Sequence, residues 1–158
     1  MSHEETTILT GTPQSKVWMT REETAAFFDR RQQALDNLDA ASLAADYADD
    51  CVIESPLSGT HQGRAAAQAA IQAVFDAFLD MKIRTDALVI DGNRVAHVLS
   101  AEGTDIGGFM GLPASGKSFR LSGVFVYELK GRQIVRERRI YDFTGLLVQV
   151  GVLKAKPV

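Results

Sequence analysis

The sequence predicts an α+β domain in which N-terminal helices gather on one side of a curved, mostly antiparallel sheet. Three observations predict it. Apolar residues recur at three- and four-residue steps up to about residue 79. From Lys82 onward the period drops to two, and glycine-containing turns then divide the alternating region into hairpins. With 158 residues, 46% of them hydrophobic, the chain is long enough to bury one core, so a single domain is expected over residues 20–153. The polar, weakly patterned residues 1–19 read as a flexible tail.

The elements follow in order. Thr20 precedes Arg21, Glu22 and Glu23, which places a capping box at the start of a helix running to about Asn37. Phe27, Ala34 and Leu38, with Phe28 and Leu35 beside them, form its apolar stripe; Arg31 interrupts the stripe with a cation. Asp39 caps a second helix through DAASLAADYADD, where Leu43 and Tyr47 are four apart. CVIESPL reads as a strand. The alanine-rich RAAAQAAIQAVFDAFLD, with Ile71, Val74, Phe75 and Phe78 at helical spacing, is the clearest helix. KIRTDALVI and RVAHVLSAEG make a hairpin through Asp91-Gly92-Asn93. SFRLSGVFVYEL and RQIVRERRIYD make another through Lys130-Gly131.

Charge and composition exclude several function classes. A formal charge of −3 with no Lys/Arg cluster gives little reason to bind nucleic acid or an anionic membrane. No apolar stretch approaches the roughly 18 residues of a membrane span. Cys51 is the only cysteine and no leader pattern is visible, which fits a reducing cytoplasm. The histidines, cysteine and carboxylates show no metal-ligand spacing, so neither metal nor cofactor is expected. GLPASGKS, residues 111–118, satisfies the phosphate-loop pattern, but an alternating strand follows it where a helix is required. The stretch therefore reads as a hairpin loop.

The same loop belongs to an ordered set of similarities. SAEGTDIGGFMGLPASGKSF, the ending QIVRERRIYDFTGLLVQVG and ESPLSGTHQGRAAA together resemble the SnoaL-like polyketide cyclases over most of residues 54–151. That resemblance implies a cone-shaped α+β roll of the nuclear-transport-factor-like and ketosteroid-isomerase-like type. It implies an apolar cavity under the helices and a homodimer. It also implies a cofactor-free enzyme that uses a carboxyl group as general acid/base on a small hydrophobic or aromatic carbonyl substrate, by intramolecular aldol closure or a related isomerisation. A non-catalytic ligand-binding or scaffold protein of the same fold is the alternative.

By the resemblance, Asp142 is the cavity general acid/base, and desolvation among Ile140, Tyr141 and Phe143 suits that task. Asp is equally a favoured N-cap, and FTGLLVQVG is a helix it could cap. Asp105 stands where the cyclase-like pattern carries histidine, leaving a hydrogen bond to substrate but no imidazole. Glu54, Val52, Glu102 and Thr104 replace the residues epoxide hydrolases of this superfamily use, which disfavours epoxide opening. The expected substrate contacts are Tyr47, Glu54, His97, Phe109, Met110, Phe125 and Arg138. His97, between Val95 and Leu99 in alternation, reads foremost as a buried, hydrogen-bonded structural residue, and Arg138 is expected to point into the cavity beside Asp142.

Overall fold

The computed structural model describes residues 18–156. Its elements run α1 (Arg21–Asp36), α2 (Ala40–Ala44), β1 (Tyr47–Ser55), β2 (Gly59–Gln62), α3 (Arg64–Ala77), β3 (Lys82–Asp91), β4 (Arg94–Thr104), β5 (Ser118–Lys130), β6 (Gln133–Tyr141) and α4 (Phe143–Gln149). The strands form one six-stranded sheet in the order β2-β1-β6-β5-β4-β3. It is curved and unclosed, and the expected α+β class holds.

Local chemistry explains most boundaries. The capping box at α1 is complete: Thr20 Oγ1 accepts from the Glu23 amide at 3.1 Å, and Glu23 Oε2 accepts from the Thr20 amide at 2.8 Å. Gly92, at φ 57°, turns the β3–β4 hairpin in the left-handed region that residues with a Cβ avoid. β5 begins at Ser118, so no helix follows Lys117 and the phosphate-loop match has none of its required context.

Tertiary pairing overrides local preference in three places. α2 ends at Ala44, and Tyr47 opens β1 instead of extending the helix. The Ile134 amide donates to the Asp46 carbonyl at 2.8 Å, so a parallel ladder between β1 and β6 captures the segment. Gly59–Gln62, between the expected CVIESPL strand and the alanine-rich helix, is a short strand antiparallel to β1. The chain is also anchored earlier than expected: Trp18 bridges to Gly131 and Met19 is buried. The rest of the expected tail, residues 1–17, lies outside the described residues.

The helices lie against one face of the sheet, and the core divides into two neighbouring clusters. The larger gathers Phe27, Phe28, Leu43, Ile53, Ile71, Phe75 and Ile134; the smaller gathers Phe78, Phe109, Phe119, Leu146 and Leu147. The opposite face of β3–β6 carries a band of small and branched apolar residues. Register places Val89, Ala96 and Val126 in one row and Ala87, Val98, Val124 and Ile140 in the next. Val89 and Ile140 are 60% and 52% exposed, so this band is uncovered.

Candidate active site

Between the helices and the sheet lies a cavity of about 110 Å³. Its walls are mostly apolar: Leu35, Ile71, Val74, Phe75 and Phe78 from the helices, and Leu99, Phe119, Leu121 and Phe125 from the sheet. That volume is of the same order as the roughly 150 Å³ of an apolar cavity that admits benzene. It suits a compact ligand of about one ring.

Against this apolar wall stands a polar floor assembled from four elements. Arg31 of α1 donates from Nη1 to the Leu43 carbonyl at 3.0 Å and to Asp46 Oδ2 at 2.9 Å, and from Nη2 to the Tyr47 hydroxyl at 3.3 Å. Tyr47 donates to Glu137 Oε2, and Arg139 Nε donates to Glu137 Oε1 at 2.8 Å. Glu137 is fully buried, as a carboxylate can be only when charge and hydrogen bonds answer it. The Arg31 guanidinium also lies 5.3 Å from the Tyr47 ring centre and 5.7 Å from that of Tyr127. Burial, with Glu137 next in effect, pushes the Tyr47 phenol well above its ordinary range and keeps it a proton donor.

His97 closes the floor on the β4 side, and its tautomer follows from backbone chemistry. Gln32 Oε1 accepts from the Thr85 amide at 3.1 Å, while Gln32 Nε2 donates to the Ile83 carbonyl at 2.7 Å. Those two backbone groups fix the orientation of the amide. The Thr85 hydroxyl, 2.7 Å from Gln32 Oε1, must donate to it; its lone pair then accepts from His97 Nε2–H at 2.8 Å. Nδ1 is left as a bare acceptor, and it is the one sealed polar side-chain atom among the described residues without a partner. Burial first, then the Arg31 charge, push the imidazole down to about 4, against the opposite pull of Glu137 and Asp86. At neutral pH His97 is uncharged.

The structure distributes the expected site residues unevenly. Tyr47, His97 and Phe125 line the cavity together. Phe109 packs behind it, its ring centre 5.3 Å from that of Phe78, and Met110 is exposed. Glu54 lies beside Arg138 in the β1–β6 register, outside the cavity. Arg138 itself corrects the expected phase: alternation turns Glu137, Arg139 and Tyr141 inward and leaves Arg138 exposed. Asp105 is buried but holds its own loop, accepting from the Gly108 amide at 3.1 Å and the Ser115 amide at 2.9 Å. Asp142 is exposed and caps α4, accepting from the Gly145 amide at 2.8 Å. A Cβ on residue 145 would fall 2.2 Å from Asp142 Oδ2, so glycine there admits the capping carboxylate. Neither aspartate lines the cavity.

Sequence reasoning missed Glu137, Arg139 and Tyr127. Arg31 carried a usable signal, a cation within the apolar stripe of a helix. Glu137 and Arg139 carried a weaker one, two charges two residues apart on a strand otherwise rich in apolar inward positions. Among the described residues no three His, Cys, Asp or Glu side chains converge as a metal site requires, and no helix is long and apolar enough to cross a membrane.

Comparison with known proteins agrees with this architecture. The profile of the SnoaL-like polyketide cyclase family matches residues 26–150. TsrD from Streptomyces laurentii superposes with a TM-score of 0.75 at 21% identity, covering 85% of this chain and 99% of that one. IdmH from Streptomyces antibioticus, a candidate polyketide cyclase, does so with a TM-score of 0.68 at 26% identity, covering 80% and 97%. A protein of ketosteroid isomerase-like fold from Catenulispora acidiphila, solved with trimethylamine, gives 0.68 at 16% identity, covering 88% and 100%. Among curated proteins none matches the chain.

Proposed function

Because the chain belongs to the SnoaL-like polyketide cyclase family, we propose that it is an acid–base enzyme for a compact, hydrophobic carbonyl substrate, with Glu137 as the proton acceptor. One observation carries this: among the described residues Glu137 is the only carboxylate on the cavity wall. Its two oxygens receive one hydrogen bond each from Arg139 and Tyr47. An ionised carboxylate offers about four lone-pair directions, which leaves acceptor capacity for a substrate proton. The reaction is removal of a proton α to a carbonyl, followed by ring closure or isomerisation of the resulting enolate. The apolar walls hold the reacting conformer and exclude water, and Tyr47, kept protonated, steadies the carboxylate and can return a proton.

The test needs no known natural substrate. Single-ring β-diketones in deuterated buffer should exchange their α-protons faster with the protein than without it, followed by NMR. Glu137→Gln should abolish the acceleration, while Asp142→Asn should retain it. Loss of exchange in Asp142→Asn instead would return the role to the capping aspartate. No acceleration at all, with ligands still bound, favours a binding protein; the observation on that side is that every carboxylate oxygen of the floor already has an internal partner.

We also propose a two-fold homodimer through the uncovered face of β3–β6, since an apolar band of this kind is costly to leave in water. Ile140→Glu should shift sedimentation from dimer to monomer. A wild-type monomer at micromolar concentration removes the proposal. The buried, unpaired Cys51 suits a reducing compartment such as the cytoplasm.

A further inference from the structure

Arg139 does only part of what a guanidinium can do. Its Nε binds Glu137, its carbon lies 5.2 Å from the centre of the Phe125 ring, and its side chain is 13% exposed. Neither Nη has a hydrogen-bond partner among the described residues. Among the described residues the only fully sealed, unpartnered polar side-chain atom is His97 Nδ1, so the Nη groups border open space, and Arg139 lines the cavity. Arg31, the other arginine of the floor, is by contrast spent on Asp46, Leu43 and Tyr47.

Resting on the acid–base reading above, we propose that the free Nη edge of Arg139 anchors the ligand, and that the ligand presents a planar anion with two syn oxygens. A carboxylate and the enolate of a β-diketone share that chemistry. Side-on engagement of Glu137 through Nε holds the guanidinium plane, and the Phe125 ring beneath it keeps water from one face. The two Nη groups then offer parallel N–H donors at the spacing that two syn oxygens require. His97 is neutral beside this site and adds no competing positive charge. A substrate deprotonated next to its own carbonyls would develop its negative charge at this fork.

The experiment measures affinity, not turnover, by calorimetry or NMR titration of the full chain with benzoate, benzamide and trifluoroacetylacetone above neutral pH. Wild type should bind benzoate at least about tenfold more tightly than benzamide. Arg139→Lys keeps a charge for Glu137 but loses the fork; it should weaken benzoate at least about tenfold and leave benzamide nearly unchanged. Binding of benzoate alone assigns a carboxylate ligand, and binding of trifluoroacetylacetone assigns the enolate, each within the proposal. Equal affinity for benzoate and benzamide in wild type, or no binding of either anion, overturns it without any variant having to fold. Deuterium exchange that persists without anion preference leaves the acid–base reading standing while this one fails. Anion preference without exchange does the reverse.

Discussion

Glu137 and the aspartates at positions 105 and 142 are carboxylates put to opposite uses. Asp105 and Asp142 accept from backbone amides three and ten residues away in one case and three in the other. Each ties a loop or helix end to itself. Glu137 accepts from Arg139 on its own strand and from Tyr47, ninety residues distant. It ties elements together, at the wall of the cavity. A carboxylate satisfied by amides of its own segment is committed to local geometry, whereas one that also receives a side chain from a distant element marks where the fold has assembled a site.

The sharpest way to break that contrast is to delete the carboxylates in turn. Glu137→Ala leaves the largely buried Arg139 without its counter-charge and Tyr47 without its acceptor, and should cost about 3–5 kcal/mol in urea unfolding. A loss below about 1 kcal/mol would show that water reaches the floor and that the contrast with Asp142 is empty.

Next in size is the pH dependence carried by His97. Its native value of about 4 lies below the ordinary 6.5, so between those values the unfolded chain binds the extra proton. Stability from this group is full above pH 6.5 and falls as pH drops toward 4, by up to about 3 kcal/mol. Denaturation midpoints of wild type and His97→Gln across that window should converge at the acid end. Parallel curves would mean that the imidazole is hydrated.

The two aspartates should then separate by burial. Asp105→Ala strands two part-buried amides and should cost about 2 kcal/mol. Asp142→Ala removes an exposed cap and should cost about 1 kcal/mol, and Asp142→Asn almost nothing, by thermal denaturation. A large loss from Asp142→Asn would show that its charge does more than cap.

This ordering also tracks what could be read from the chain. The capping box at Thr20, the cap at Asp142 and the Gly92 turn are written within four residues of themselves, and all were legible. Tyr47 was assigned to the cavity but placed on a helix, because its Ala-rich surroundings favour one and only pairing with β6 decides otherwise. Arg138 is expected inward and lies outward because alternation supplies a period but no phase; the phase comes from which face the helices cover. The Nη groups of Arg139 could not be seen as free until every other donor of the floor had been matched to its acceptor.

The single parallel pairing in the sheet sets the order in which these parts come together. β3 to β6 follow one another along the chain, so their ladders close comparatively short loops and can form early. The β1–β6 seam instead closes a loop of more than eighty residues, a cost met before its contacts reward it. The Tyr47–Glu137 bond lies on that seam. In hydrogen exchange, amides of β4 and β5 should therefore outlast those of β1, and the last step of folding should be the one that completes the floor of the cavity.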